Sequence, residues 1–320
     1  MTTDDKRSTD EIGITTGARL HFGLLDTAAP FGGLGVMIAD PQTQIRITAA
    51  SQFECSGDGV DRAIEIANRL TEFLKLGDLP ACSVEILRRP HAHIGLGSGT
   101  QLAMAVADGL AQFCAAKIPP QVLAQQIADR GKRSAIGVHG YLQGGLIFET
   151  GQPDAADQLN PIIQRLELPA DWTVLLARPK HQSETVFGTD EQQQFERLDA
   201  ATEKQRAALK HIITDQVIPA VKAGDFSSFA AAVHQYNHQS GMLFSSVQGG
   251  PYNGPQVTST IELLQQHGAQ GVGQTSWGPS VFSWFPNRSD AEEFASSLPR
   301  ESLVVNLVGI QNCPASKTHG

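Results

Sequence analysis

The sequence predicts an α+β chain built in two parts, and two observations carry that reading. From Ile12 to about Pro169, short strands of alternating polarity are interleaved with amphipathic helices. Beyond a polar, turn-rich stretch at Gly151–Asn160, and with the inserted helices set aside, the order becomes strand, helix, strand, strand, helix, strand. That order is a split β-α-β arrangement. The expected division is residues 12–165 and 166–312, with tails at 1–11 and 313–320.

The elements follow in order. Met1–Asp10 is polar and charged, lacks the apolar run of a secretory leader, and is expected to fray. Ile45 and Ile47 alternate as in a strand, and Asp61–Leu76 places Ile64, Ala67, Leu70, Phe73 and Leu74 on one helical face. Cys82–Leu87 is a strand. Leu102, Ala103, Val106, Leu110 and Phe113 then recur at helical spacing. Pro120–Arg130 is a helix, and Gly144–Phe148 is a short buried strand. In the second part, Trp172–Ala177 is a strand. Asp190–Lys222 is helical, with Asp190 as N-cap and a break near Pro219. Helices at Asp225–Gly241 and Pro255–His267 precede a strand ending near Gln274. A strand at Ser280–Phe285, a helix at Ser289–Ser297 and a strand at Ser302–Leu307 complete the ferredoxin-like order. Ala315–Gly320 reads as a second frayed end.

Composition narrows the function. Hydrophobic residues make up 41% of the 320, enough for a large core, and charged residues 18%. A net charge of −9 argues against a nucleic-acid coat or an anionic membrane as partner. A polyphosphate substrate would need a local positive field or a metal ion. Cys55, Cys82, Cys114 and Cys313 have no metal or redox spacing, and no apolar run is long enough to span a bilayer. A cytoplasmic protein with reduced thiols is expected.

Four constellations carry chemistry. In Pro90–Gln101, the residues Gly95, Gly97, Ser98, Gly99 and Thr100 run into an apolar helix. A glycine loop at a helix N-terminus presents unpaired N–H groups to an anion, although a bare strand-to-helix turn has the same sequence. Around Gly17–Asp26, a strand would place Arg19 and His21 on one face, with Asp26 orienting either, holding a metal-bound water, or pairing with Arg19. Arg130, Lys132 and Arg133 concentrate positive charge ahead of His139 and suit a diphosphate or a solvated helix end. The glycine-rich loops Phe244–Tyr252 and Gly271–Pro279 complete the set. No Walker-type lysine, nucleophile elbow or dinucleotide fingerprint is present.

Taken in order, these motifs resemble the GHMP kinase superfamily. Pro90 with Gly95-Leu-Gly-Ser-Gly is similar to its phosphate loop, with one extra residue after the proline and Gly99 in place of a second serine. Arg19-Leu-His-Phe-Gly-Leu-Leu-Asp26, Gly32-Gly33-Leu-Gly35, Arg133-Ser-Ala-Ile-Gly137, Gln248-Gly-Gly250 and Gln274-Thr-Ser-Trp-Gly-Pro279 look closer to its β-ribofuranosylaminobenzene 5′-phosphate synthase family. The resemblance implies an N-terminal domain like domain 2 of ribosomal protein S5 and a ferredoxin-like C-terminal domain with extra helices. It implies a decarboxylating transferase of methanopterin biosynthesis that joins phosphoribosyl diphosphate to 4-aminobenzoate or 4-hydroxybenzoate. It implies no organic cofactor, with Mg²⁺ accompanying the diphosphate and Ser98 as a candidate metal contact.

Under that resemblance Arg19, His21, Asp26 and Arg133 are the candidate catalytic residues. Gly95, Gly97, Ser98, Gly99, Thr100 and Lys132 would bind phosphate. His139, Lys180, Gln248, Gly249, Gln274, Ser276 and Trp277 would line the substrate pocket, with Trp277 stacked on the ring. Galactokinase-like members carry an Asp near the start of the Gly131–Gly137 segment, and none stands there in this chain. An ATP-dependent small-molecule kinase and a non-catalytic binding homologue are the rival expectations, and a homodimer is expected on base rates.

Overall fold

In β1 (Glu11–Leu24) the even-numbered residues change partners halfway along. Ile12 and Ile14 pack in one core, whereas Ala18, Leu20 and Phe22 pack in another. The switch falls at a register shift between Thr16 and Ala18, where β1 pairs antiparallel with β2 (Gly33–Ala49). An irregularity in a strand pair re-aims the side chains beyond it. Arg19 and His21 therefore emerge on the side of the sheet opposite Leu20 and Phe22. A computed structural model describes residues 11–151, 158–180 and 198–320 of the chain. Met1–Asp10 and the Asp190 cap fall outside the described residues.

The first sheet runs β11-β1-β2-β4-β3, with β3 at Glu54–Gly57, β4 at Cys82–Arg88 and β11 at Ser316–His319. The N-terminal half of β2 also pairs with β5 (Leu146–Glu149), which pairs with β6 (Ile162–Leu166). One face is covered by α1 (Val60–Leu74) and α2 (Ser98–Phe113). It is completed by a short helix, α3 (Pro120–Val122), running on into a π-helical turn at Leu123–Ile127, and by α4 (Ile136–Gln143). Every residue of α2 from Gln101 to Ala111 is buried, as befits a helix apolar nearly all round.

The second sheet is four-stranded, in the order β10-β7-β9-β8, and wholly antiparallel. Its strands are β7 (Thr173–Pro179), β8 (Gln270–Gln274), β9 (Val281–Phe285) and β10 (Leu303–Val308). Counted from β7, the spatial order is fourth, first, third, second, the ferredoxin-like order the element pattern predicts. The inserted helices are α5 (Glu203–Ile212), α6 (Ile218–Ala223), α7 (Phe226–Met242), α8 (Ser245–Gln248) and α9 (Gly254–Gln266). The last, α10 (Arg288–Ser296), connects β9 to β10. Thr202 closes a capping box with Gln205 at the start of α5.

The two sheets share a core. Leu20, Phe22, Val36 and Phe148 of the first meet Val174, Leu176, Phe282 and Trp284 of the second, together with Phe229 and Tyr236 of α7. The Phe22 and Phe282 rings lie 5.2 Å apart.

Two expectations about the ends need correction. The residues after Ala315 are not frayed: Ser316–His319 adds an edge strand to β1, and Lys317 Nζ pairs with Asp108 Oδ2 at 2.6 Å. Glu11, assigned to the first tail, already pairs in β1. The polar composition of Ser316–His319 hid an edge strand whose partner is the buried β1, and Glu11 is the first residue of β1 itself, opposite Thr48 of β2.

Candidate functional site

The site begins where α2 begins. Gly97, its N-cap, has φ +70°, and Gly95 has φ +83°, a region open chiefly to glycine. A Cβ on Gly95 would lie 2.3 Å from the Thr275 carbonyl oxygen, and one on Gly278 would lie 2.2 Å from Gly95 N. The glycine loop and the β8–β9 turn thus touch backbone to backbone. The Thr275 hydroxyl donates to the Gly95 carbonyl at 2.8 Å and accepts from the His21 N–H at 3.0 Å. Ser276 N–H donates to the His21 carbonyl, and Arg19 N–H to the Leu96 carbonyl. These bonds tie the end of β1, the glycine loop and the β8–β9 turn into one unit.

Helix α7 grips the same strand from the other side. Asn237 Nδ2 donates to the carbonyls of Phe22 (2.7 Å) and Gln274 (2.8 Å), while its Oδ1 accepts from Gln274 N–H at 2.9 Å. The Tyr236 and Ser240 hydroxyls donate to the carbonyls of Gly23 and Leu24. Residues 236, 237 and 240 lie on one helical face. Buried polar groups are tolerated because each is paired.

Between these elements lies a cleft of two joined compartments that share Arg19, Thr100, Arg130, Ser276 and Trp277. The outer one, of about 480 Å³, is walled by Gly95–Thr100 and by Arg62, Arg89 and Arg130. The inner one, of about 380 Å³, adds His21, Arg133, Ser134, Phe244, Gln248 and Gln274. Among the described residues, no Asp or Glu lines either compartment. Burial, and then the nearby Arg62, push the Arg130 guanidinium down to about 10, still charged at neutral pH. Burial, reinforced by Arg19, holds His21 well below the usual histidine range, so its ring is neutral at pH 7. The Phe244 and Trp277 rings meet edge to face at 5.3 Å on the inner wall. One end of the cleft is fitted to an anion and the other to a flat, weakly polar molecule.

The sequence-predicted residues divide accordingly. Arg19, His21, Gly95, Gly97, Ser98, Gly99, Thr100, Arg133, Gln248, Gln274, Ser276 and Trp277 all line the cleft. Asp26 does not: its carboxylate accepts from Ala28 and Ala201 N–H and pairs with Arg206 at 2.7 Å, fastening β1 to the start of α5. The partner is Arg206 rather than Arg19. Lys132 points to solvent, 73% exposed, and pairs with Asp129 at 2.7 Å. Lys180 is exposed at the end of β7, and Gly249 sits beyond the lining. His139 lies behind the cleft wall, where Nε2 donates to the Asn160 carbonyl at 2.7 Å.

Sequence reasoning missed Arg62 and Arg89, and left Arg130 out of the phosphate-binding set. Arg89 directly precedes the loop's Pro90, a usable signal, whereas Arg62 reads as an ordinary solvent-facing residue of α1. Asn237 stands among polar neighbours, His234-Gln235-Tyr236-Asn237-His238-Gln239-Ser240, so nothing in the sequence singles out the α7 clamp. The Ser98 hydroxyl donates to the His91 carbonyl at 3.3 Å, and no cluster of three metal-ligating side chains occurs among the described residues. The lining does not fit a protein-held Mg²⁺, which favours carboxylate ligands.

Known proteins share both the sequence pattern and the architecture. The GHMP kinases N terminal domain model matches residues 61–145, and the GHMP kinases C terminal model residues 217–304. The chain is 28% identical over 298 residues to a β-ribofuranosylphenol 5′-phosphate synthase of Methanothermobacter thermautotrophicus, covering 85% of this chain and 88% of that protein. The protein of the same name from Archaeoglobus fulgidus is 27% identical, with 84% and 86% covered. Among solved structures, a homoserine kinase from Cytophaga hutchinsonii superposes with a TM-score of 0.69 at 15% identity, covering 99% of this chain and 100% of that one.

Proposed function

We propose, from the premise that the chain belongs to the GHMP kinase superfamily and to its β-ribofuranosyl 5′-phosphate synthase branch, that it is a decarboxylating pentosyltransferase. The reaction joins C1 of 5-phosphoribosyl 1-diphosphate to the carboxylate-bearing carbon of 4-aminobenzoate or 4-hydroxybenzoate, as the entry to methanopterin biosynthesis. The C1–O bond to diphosphate breaks, leaving an oxocarbenium-like centre. The ring carbon supplies the electron pair of the new C–C bond, and loss of CO₂ returns a pair to the ring. No net proton is taken up or released.

The observation that carries this reading is a cleft rich in arginine, with no carboxylate among its described lining residues. A kinase must draw a proton from a hydroxyl, which calls for a base within reach. Asp129, the nearest acid to the Gly131–Gly137 segment in sequence, is held by Lys132. A departing diphosphate instead needs fixed positive charge and N–H donors where its own charge grows. The first-turn N–H groups of α2, with Arg62, Arg89 and Arg130, suit that role. Arg133 and Arg19 suit the 5′-phosphate or the benzoate carboxylate, and Trp277 with Phe244 suits the ring. Holding ring and ribose face to face supplies a further part of the rate. Mg²⁺ would arrive on the diphosphate oxygens rather than on protein carboxylates. The proposed assembly is a homodimer in the cytoplasm. No helix among the described residues is long and apolar enough to cross a membrane.

The test is direct. The protein is incubated with phosphoribosyl diphosphate and carboxyl-labelled 4-aminobenzoate, and released CO₂ and ribosyl product are followed. Matched CO₂, diphosphate and product support the synthase. ADP formation from ATP and an alcohol, without CO₂, overturns it in favour of a kinase. Binding of phosphoribosyl diphosphate with turnover of neither kind favours a non-catalytic homologue.

A further inference from the structure

Glu149 is a fully buried carboxylate that the proposed reaction does not use, with 0% of its surface exposed at the end of β5. Burying such a group costs several kcal/mol unless it is well paired. Its partners lie on one segment. Both carboxylate oxygens accept from Ala135 N–H at 3.0 Å. The Ser134 hydroxyl and the Asn160 side chain lie beside it and favour its charged form, and Asn160 Nδ2 donates to the Arg133 carbonyl at 3.0 Å. The carboxylate thus holds Ala135 directly and adjoins Ser134 and the Asn160 side chain that holds Arg133. Two of them, Arg133 and Ser134, face the inner compartment.

Ser134 carries the effect into the cleft. Its oxygen accepts from Ile136 N–H at 3.3 Å and lies 3.2 Å from His21 Nε2. A hydroxyl has one proton to donate and two lone pairs. With its proton turned toward the neighbouring ionised Glu149 and one lone pair used by Ile136, Ser134 has one lone pair left to accept from His21 Nε2–H. That fixes the His21 tautomer and leaves Nδ1 as a neutral acceptor.

We infer that Glu149 is a positioning residue: ionised, it holds Arg133–Ala135 at the cleft wall and, through Ser134, keeps His21 as the Nε2–H tautomer. The logic is that of a base oriented by a hidden third group. Under the proposed reaction, which this inference deepens, the Nδ1 lone pair accepts from the para N–H or O–H of the benzoate as positive charge grows there. The charged and titratable groups facing Glu149 are Arg19 on β1, His139 on α4 with Nε2 at 4.0 Å, and Tyr236 on α7, while His21 is reached through Ser134. Burial pushes Glu149 up to about 7, against the pull of its hydrogen bonds. A protonated Glu149 can donate to Ser134, which then turns its own proton to His21 Nε2 and reverses the tautomer.

Two measurements on the intact protein test this. The first is ¹⁵N-edited imidazole NMR of His21 at pH 8, which needs no turnover and so stands even if the synthase reading fails. Nε2–H in the native protein, lost or mixed in Glu149→Gln and Ser134→Ala, is the expected result. Nδ1–H in the native protein, or an unchanged tautomer in both variants, overturns the inference. The second is kcat and KM against pH. Glu149→Gln is expected to lower kcat roughly 10- to 100-fold, the scale of lost outer-shell support for a functional histidine. The KM for phosphoribosyl diphosphate should move less than about threefold, and the ascending limb near pH 7 should disappear. Ser134→Ala leaves the bond between Glu149 and Ala135 in place, so it covers the case in which Glu149→Gln fails to fold. A loss confined to KM, with the limb retained, overturns the inference.

Discussion

Arg130 brings charge where charge is costly. It is largely buried, Arg62 lies close enough to disfavour its protonated form, and it still borders both compartments of the cleft. Like charges are gathered this way where an anion will offset them. Arg130→Gln, which keeps most of the bulk, should weaken inorganic diphosphate binding roughly 10- to 100-fold, the range for a charge-assisted hydrogen bond. Titration calorimetry reads this directly, and an unchanged affinity removes Arg130 from the anion site. Glu149 gives a second prediction. Its carboxyl is raised from 4.5 to about 7, so the folded chain binds that proton more tightly than the unfolded one. The stabilisation is complete below about pH 4.5 and is lost as pH rises through 7, a span worth roughly 3 kcal/mol. Denaturant unfolding between pH 5 and 8 should show that slope, and Glu149→Gln should flatten it. At this scale the sequence was only partly legible. The Arg19-Leu-His spacing placed two side chains correctly on one face, but Lys132 and Arg133 are adjacent and only Arg133 reaches the cleft. Charge density in a sequence does not say which way a loop turns.

The glycine loop and the β8–β9 turn work as a pair, and glycine matters in each for a different neighbour. Gly95→Ala must overcome both a left-handed backbone and a contact of 2.3 Å with a carbonyl oxygen. Gly249 has φ +80°, and a methyl group added there would find nothing within 4 Å, so Gly249→Ala meets only the backbone penalty. The expected costs are about 1 kcal/mol for Gly249→Ala and several kcal/mol for Gly95→Ala. Thermal unfolding of the two variants compares them, and equal losses would show that the loop contact contributes nothing. Elements with strong periodicity were readable in advance: α1, α2, α7 and the strands of the second sheet fall within a few residues of their expected bounds. Strands β3, β6 and β11 were not readable. They are four or five residues long and none contains a buried residue, so no buried face marks their alternation. Their pairing is decided by β4, β5 and β1, which set the register from the partner side.

On the scale of the molecule, an acidic protein of net charge −9 keeps four arginines, Arg19, Arg62, Arg89 and Arg130, around one loop. The cleft walls come from both sheets, joined through a shared core and through the α7 side chains that bind the β1 carbonyls. An anion that bridges these walls therefore stabilises the whole fold rather than one half of it. At a hundredfold excess over its dissociation constant, inorganic diphosphate should add about 2.7 kcal/mol. For a chain of this size that corresponds to a rise in Tm of roughly 4–5 °C. The shift should come as one cooperative transition, because the halves share a core. It should also shrink with salt, since attraction between the bound anion and partly exposed arginines is screened over about 10 Å at 0.1 M and about 3 Å at 1 M. Scanning calorimetry at low and high ionic strength, on the native protein and on an Arg62→Ala, Arg89→Ala double variant, separates the contributions. The double variant should lose most of the diphosphate-induced shift at low salt and show little further change at high salt. A shift that is insensitive to both would mean that the diphosphate binds somewhere other than the arginine-lined end of the cleft.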